Sequence, residues 1–250
     1  NLTTGYAMFS SCNALRFCDL GTGIPNFTTW DVSNMTSMFF MFNNCGLFDG
    51  KMFTVTSTTT NLGSMFTFCR NFNNAGTTSI ENWDTSQVTN MRYMFYDAIT
   101  FNRDISGWDT SGCLNMEYML NGGNNAMVFN QPIGSWDTSN VTNMTSIIRN
   151  CSSFDQDLSN WDLTAVTNAG SGTNLVICSS VSNSFSFPIV LSQANYDALL
   201  IALDASTYPS WPGGTLAFGL SQYSAAPSAA ATARASLVTK FGAVQDGGPI

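Results

Sequence analysis

Five aspartates recur at near-regular intervals, each directly after a tryptophan: Asp31, Asp84, Asp109, Asp137 and Asp162. Stacked in a column, these carboxylates could do one of three things. They could share a hard cation such as Ca²⁺ between neighbours, since calcium takes oxygen ligands. They could work as a glycosidase acid/base pair, or they could fold back onto their own backbone as Asx turns. Like charges about 5 Å apart repel by roughly 1 kcal/mol in water and by several at low dielectric, so a column needs something to offset that repulsion. A glycosidase pair needs two carboxylates in unlike environments, and a repeated column supplies like ones. The leading expectation is therefore an Asx turn in which each carboxylate accepts the amide of the Ser or Thr two residues on. A calcium column along Asp31, Asp84, Asp109, Asp137 and Asp162 is its rival.

The other chemistry-bearing residues fall into columns too. With offsets numbered from the tryptophan, Cys12, Cys45, Cys69 and Cys151 share position +15. Neighbouring coils about 4.8 Å apart bring such cysteines within disulfide reach. The candidates are bridges between adjacent coils among Cys12, Cys45 and Cys69, or a local Cys12–Cys18 pair, against a ladder of buried free thiols. No CxxC pair and no histidine are present, which argues against a zinc site. Asn61, Asn90, Asn115 and Asn143 stand at +7 and are expected to bond turn backbone. Thr36, Thr60, Thr89, Thr142 and Thr167 at +6 form a solvated face or an array for ice or a glycan. Asn-x-Ser/Thr sequons at Asn1, Asn26, Asn34, Asn140, Asn143 and Asn150 are glycosylation candidates. Without histidine no Ser-His-Asp or Cys-His set can form. No phosphate loop is present either, so the chain is expected not to be an enzyme and to need no cofactor beyond the calcium alternative.

The columns imply the elements that position them. Trp30, Trp83, Trp108, Trp136 and Trp161 mark the repeat, with steps of 25, 28 and 25 residues from Trp83 onward. Such a period marks a repeat solenoid. Its register reveals a degenerate copy with Thr54 in the tryptophan place and an N-terminal remnant at Met8, Phe9 and Cys12. Within a copy, Ile-x-x-Trp reads as a short strand. Apolar residues at +5, +8, +11 and +12, such as Val88, Met91, Met94 and Phe95, have helical spacing. Trp30, Trp83, Trp108, Trp136, Trp161, Met91, Met94 and Phe95 are the expected repeat core. Stacked copies then give an α/β repeat solenoid, with a parallel sheet on one side and short helices or 3₁₀ turns on the other. A Trp-Asp dipeptide also suggests a propeller, but the period is too short.

These repeats resemble the BspA-type leucine-rich repeats, most closely the branch of bacterial and mycoplasma surface lipoproteins. Trp83–Phe95 and Trp136–Cys151 carry the resemblance best. It implies a leucine-rich-repeat-like fold, an extracellular or cell-surface location, and adhesion or surface display without catalysis. Residues 1–179 are expected to hold about six copies plus the remnant, and residues 180–250 a helical C-terminal cap. In the cap, Ser192 opens a helix with Tyr196, Leu199, Leu200 and Leu203 on one face. Pro227 and Ser228 open a second that runs to Phe241, with Gly242 as its C-cap.

Composition narrows the partners. The chain has 250 residues, a formal charge of −8 and only 10% charged residues. Acidity argues against nucleic acid and anionic membranes. No apolar run reaches the roughly 20 residues that span a bilayer. The chain starts inside a repeat and without Met, as a processed or trimmed piece would. Two readings follow: an extracellular repeat protein that binds a protein or glycan surface, or a structural subunit that stacks on copies of itself in a filament, surface layer or viral fibre.

Overall fold

A computed structural model describes residues 3–12, 26–74, 80–167, 174–178, 190–206, 215–218, 220–241 and 243–250. Through residue 167 the copies stack in register. Isolated parallel bridges link Thr4 to Ser37, Ser37 to Asn61, Asn61 to Asn90, Asn90 to Asn115 and Asn115 to Asn143. The degenerate copy at Thr54 and the remnant before Cys12 take their places in this series.

Inside each copy the backbone alternates. In the Trp83 copy the amides of Met91, Tyr93, Phe95 and Asp97 donate across to the carbonyls of Asn115, Glu117, Met119 and Asn121 at 2.7–2.9 Å. The intervening amides of Met94, Tyr96 and Ala98 turn back three residues to Met91, Tyr93 and Phe95 at 3.1–3.2 Å. Left-handed residues recur at two positions, with Gly123 one place late in the Trp108 copy. At +10 these are Phe40, Ser64, Tyr93, Tyr118 and Ser146; at +14 they are Asn44, Phe68, Asp97 and Asn150. Right-handed helices exclude such residues.

The expected architecture is therefore corrected. Among the described residues up to 167 there is no α-helix and no strand longer than a single bridge, so no leucine-rich-repeat-like parallel sheet backed by a row of helices is present. The stretch from +5 to +12 has the burial pattern of a helix but is a run of tight turns. The Ile-x-x-Trp segment, expected as a strand, forms a 3₁₀ turn at Ile80–Asn82 and at Ile133–Ser135.

Aromatic columns fill the interior. Phe48, Phe72, Phe101, Phe129 and Phe154 stack at 5.6–6.2 Å with ring planes within 8°. Trp83 stacks on Trp108 at 6.0 Å and Trp136 on Trp161 at 6.5 Å. Phe53, one residue ahead of Thr54, stacks on Trp83. Met91, Met94 and Phe95 are fully buried, and Trp30 packs partly buried against the same core. Each such side chain stabilises the fold by roughly 1.5–3 kcal/mol.

The C-terminal segment is an α/β unit rather than a purely helical cap. It runs β1 (Asn174–Cys178), α1 (Gln193–Ala205), β2 (Thr215–Phe218), α2 (Ala229–Phe241) and β3 (Ala243–Gln245). The strands form a parallel sheet in the order β1-β2-β3. Its helices lie where the apolar spacing put them. Ser192 caps α1 by accepting the amide of Asn195, and Tyr196, Leu199, Leu200 and Leu203 are its buried face. The strands escaped the sequence reading because each is only three to five residues long. Gly242 lies outside the described residues.

Candidate functional site

The aspartate column forms Asx turns. Asp31, Asp84, Asp109 and Asp137 each accept the amide of the serine two residues on at 3.0–3.1 Å, and Asp162 accepts that of Thr164 at 2.8 Å. Ser86 and Ser111 add their hydroxyls at 2.6 Å. Hydrogen bonds from the Ser33 hydroxyl and amide hold the Asp31 carboxyl below its ordinary range, and Ser139 does the same for Asp137. A second set of Asx turns at Asp104 and Asp157, four residues before the tryptophan, was not singled out in the sequence. In each carboxylate, one oxygen is engaged by its own turn, and no group of three or more Asp, Glu, Cys or His side chains converges among the described residues.

The cysteines at +15 form a ladder of a different kind. Cys45, Cys69 and Cys151 are buried and free, and each thiol donates to a carbonyl of the preceding copy, at Phe9, Phe42 and Leu120, all at 2.9 Å. Burial pushes the Cys45 thiol up to about 11 and the Cys69 thiol well above its ordinary value. Cys12 is exposed and free. Of the two alternatives, the free-thiol ladder is the one seen among the described residues, and the candidate inter-coil disulfides among Cys12, Cys45 and Cys69 are absent there, because the buried thiols point to backbone acceptors. Cys18, and with it the Cys12–Cys18 pair, lies outside the described residues.

The asparagines divide by role. Asn61, Asn90, Asn115 and Asn143 accept the amide two residues on at 3.0–3.1 Å, which closes the turn at each bridge. Of the sequons, Asn34 and Asn140 are exposed and Asn26 and Asn143 half-buried. Asn150 is 1% exposed and donates its amide nitrogen to Gly123, so a glycan there would require the turn to open. Asn1 lies outside the described residues. At +6, the hydroxyls of Thr36, Thr60, Thr89 and Thr142 donate to backbone of the preceding copy at 3.0–3.3 Å. They are structural bonds on an exposed face.

The arrangement best suited to contact with another molecule was not among the columns read from the sequence. The left-handed residues at +10 and their neighbours at +13 carry side chains away from the core. At +10 Ser64 and Ser146 are small, while Phe40 is aromatic, partly exposed and packed edge-on to Tyr6. In two consecutive copies they are Tyr93, Tyr96 and Tyr118, all partly exposed. Tyr93 and Tyr118 stack at 4.8 Å with planes 26° apart. Tyr96 lies 5.3 Å from Tyr93 and edge-on to Tyr118 at 6.2 Å. Phe68, 39% exposed, stands edge-on to Tyr96 at 5.4 Å. The Arg92 guanidinium sits over the Tyr93 ring, 5.1 Å from its centre, and its Nε is 3.6 Å from Glu117. Beneath Tyr96, the buried Asp97 carboxylate accepts Arg70 and Asn125, both at 2.7 Å. Partial burial raises the Tyr93 and Tyr96 hydroxyls above their ordinary range, so both remain proton donors at neutral pH. A left-handed conformation disfavours a bulky residue by roughly 1–2 kcal/mol. Tyrosine at +10 thus costs stability where Ser64 and Ser146 show that a small side chain fits.

Two overlapping matches, to residues 3–126 and 74–175, join the chain to a family described as mycoplasma protein of unknown function, DUF285. The matches span well over half of the 250 residues, and the chain belongs to that family. No curated protein and no solved structure matches it. Among the described residues no helix is long and apolar enough to cross a membrane.

Proposed function

We propose that the chain is a non-catalytic repeat protein of the cell surface or extracellular space that holds a protein or glycan partner on the Tyr93–Tyr96–Tyr118 face. The observation that supports this most is the placement of those rings. The phenylalanine column from Phe48 to Phe154 and the tryptophans from Trp83 to Trp161 are buried, and outside them a smaller aromatic group, Tyr6 with Phe39 and Phe40, also reaches the surface. Tyr93, Tyr96 and Tyr118, with Arg92 and Phe68, stand partly exposed together, and Tyr93, Tyr118 and Phe68 do so in the left-handed conformation that disfavours bulky residues. Clustered tyrosine and arginine is the composition that dominates binding hot spots, and rigid stacked rings lose little entropy on binding. Absence of histidine removes the usual acid/base group at neutral pH and favours binding over catalysis. The BspA-like motif at Trp83–Phe95 is consistent with an adhesive surface role.

The reading is tested by adhesion of the recombinant chain to host cells or matrix, comparing wild type with a Tyr93→Ser/Tyr118→Ser variant. Serine occupies the same left-handed position at Ser64 and Ser146, so the fold should persist. Adhesion should fall at least tenfold; unchanged adhesion overturns the assignment of this face.

A further inference from the structure

Resting on the binding role just proposed, we infer that the Tyr93–Tyr118 face takes an uncharged glycan, with the apolar C–H side of a sugar ring laid against the tyrosines. Size is the first argument. From Phe68 through Tyr96 to Tyr118 the patch crosses three copies, about 10 Å at a coil spacing of about 4.8 Å. That length suits one or two sugar rings.

Charge is the second. The chain carries −8, yet two arginines of this patch are each matched by a carboxylate, and a third, Arg149, lies near enough to act on Tyr96. Arg92 faces Glu117 at 3.6 Å and Arg70 pairs with Asp97 at 2.7 Å. A neutral ligand needs no further countercharge here. The third argument is hydrogen-bonding capacity. The Tyr96 and Tyr118 hydroxyls donate to no other described residue, and the Arg92–Glu117 pair offers a donor and an acceptor beside them. Hydroxyls spaced around an apolar ring face are the chemical signature of a pyranose, and Phe68, standing at 89° to Tyr96, walls the shelf at one end.

Saturation-transfer NMR with lactose, N-acetyllactosamine, cellotetraose and sialyl-lactose tests this on the whole chain. At least one neutral sugar should bind with a Kd of about 1 mM or tighter, with transfer strongest to its C–H protons. Sialylation should bring no gain. Tyr93→Ser and Tyr118→Ser should each weaken binding about tenfold while the melting temperature stays within a few degrees. No binding by any neutral sugar at about 10 mM, or equal binding by the serine variants, overturns the inference. Adhesion on cells stripped of glycans by glycosidase separates the two readings. If the double variant still loses adhesion there, the partner is a protein, so the glycan assignment fails while the binding face stands. If the double variant adheres normally everywhere, both fail.

Discussion

The Asp155 carboxylate accepts the backbone amide of Ser192 at 2.7 Å, and Ser192 is the residue that caps α1. This bond ends a ladder that runs the length of the stack. Asp49 accepts the amide of Asn73, Asn73 that of Asn102, Asn102 that of Asn130, and Asn130 that of Asp155, all at 2.8–3.0 Å. The C-terminal α/β unit therefore joins the repeats by occupying the next rung. Asn195 strengthens the joint with a second bond to the same carboxylate at 2.9 Å.

Asp155→Ala should cost about 1–3 kcal/mol, since it strands the Ser192 amide. The loss should appear first in α1, as faster hydrogen exchange at Ser192 and Asn195. Asp155→Asn keeps the side-chain oxygen that Asn73, Asn102 and Asn130 use and should stay within about 0.5 kcal/mol of wild type. Equal exchange in the alanine variant would show that the rung does not hold the unit.

The tryptophan column makes a bond that phenylalanine cannot. The indole Nε1 of Trp108 donates to Ile80 O and that of Trp136 to Ile105 O, each at 3.0 Å. Trp108→Phe should cost about 0.5–1.5 kcal/mol by removing the shorter of the two bonds to the Ile80 carbonyl, which keeps only the Trp83 amide at 3.4 Å. Trp108→Ala should cost roughly 3–5 kcal/mol. Chemical denaturation measures both, and a phenylalanine variant as stable as wild type would reduce the column to plain packing.

The repeat register, its hidden copies and its buried positions were legible because a stack places equivalent side chains in one environment, so a constraint on one copy is written into all. Trp83, Met91, Met94 and Phe95 are buried as their spacing implied, and the Asx turn at Asp109 follows from local chemistry. The secondary structure was misread because +5, +8, +11 and +12 match one helical face, while Tyr93 adopts a left-handed angle that nothing in tyrosine announces; Asn44, Asp97 and Asn150 at +14 are of types that tolerate that conformation. The ladder from Asp49 to Ser192 was hidden by its mix of Asp, Asn and Ser. The tyrosine face was missed for a similar reason. It gathers Tyr93, Tyr96 and Tyr118 from two neighbouring copies, while the same +10 position elsewhere holds Phe40, Ser64 and Ser146, and a search for recurring columns passes over a position whose residue type varies.

Free buried thiols make the fold sensitive to alkali. The folded-state values of Cys45 and Cys113 are raised by burial from 9.0 to about 11 and about 12. A raised thiol contributes stability that is complete below 9.0 and is lost as pH climbs toward the folded value. The melting temperature should therefore drop from pH 9.0 upward, and Cys45→Ala should flatten that drop. Native-state thiol labelling with peptide mapping should modify Cys12 and spare Cys45, Cys69 and Cys151. An intact Cys45–Cys69 disulfide would refute the ladder.

Acid acts through the turns. Asp31, Asp104 and Asp137 are held below 3.8 by the hydroxyl and amide of Ser33, Ser106 and Ser139. Their contribution is present above 3.8 and is lost as pH falls through the lower folded values. Thermal midpoints followed from about pH 6 to about pH 2 should decline below 3.8. A Ser33→Ala/Ser106→Ala/Ser139→Ala variant should lose stability at neutral pH and show a shallower acid slope, whereas an unchanged slope would place acid sensitivity elsewhere.

Gly123 sets the floor beneath the tyrosine face. Its φ is +63°, and a Cβ there would lie 3.3 Å from Asp97 Oδ1 and 3.4 Å from Tyr96 Cζ. Both the left-handed backbone and the crowding act against alanine. Gly123→Ala should cost about 1–2 kcal/mol from the conformation alone, press on the Asp97 carboxylate and bring its Cβ just into contact with the Tyr96 ring. Gly123→Asn tolerates the backbone better but crowds Tyr96 more. The two variants thus separate strain from contact. If alanine loses stability and asparagine keeps it while both weaken ligand binding, the position of the Tyr96 ring, and not fold stability, governs the face. If binding follows stability in both, the face has no dependence on where that ring sits.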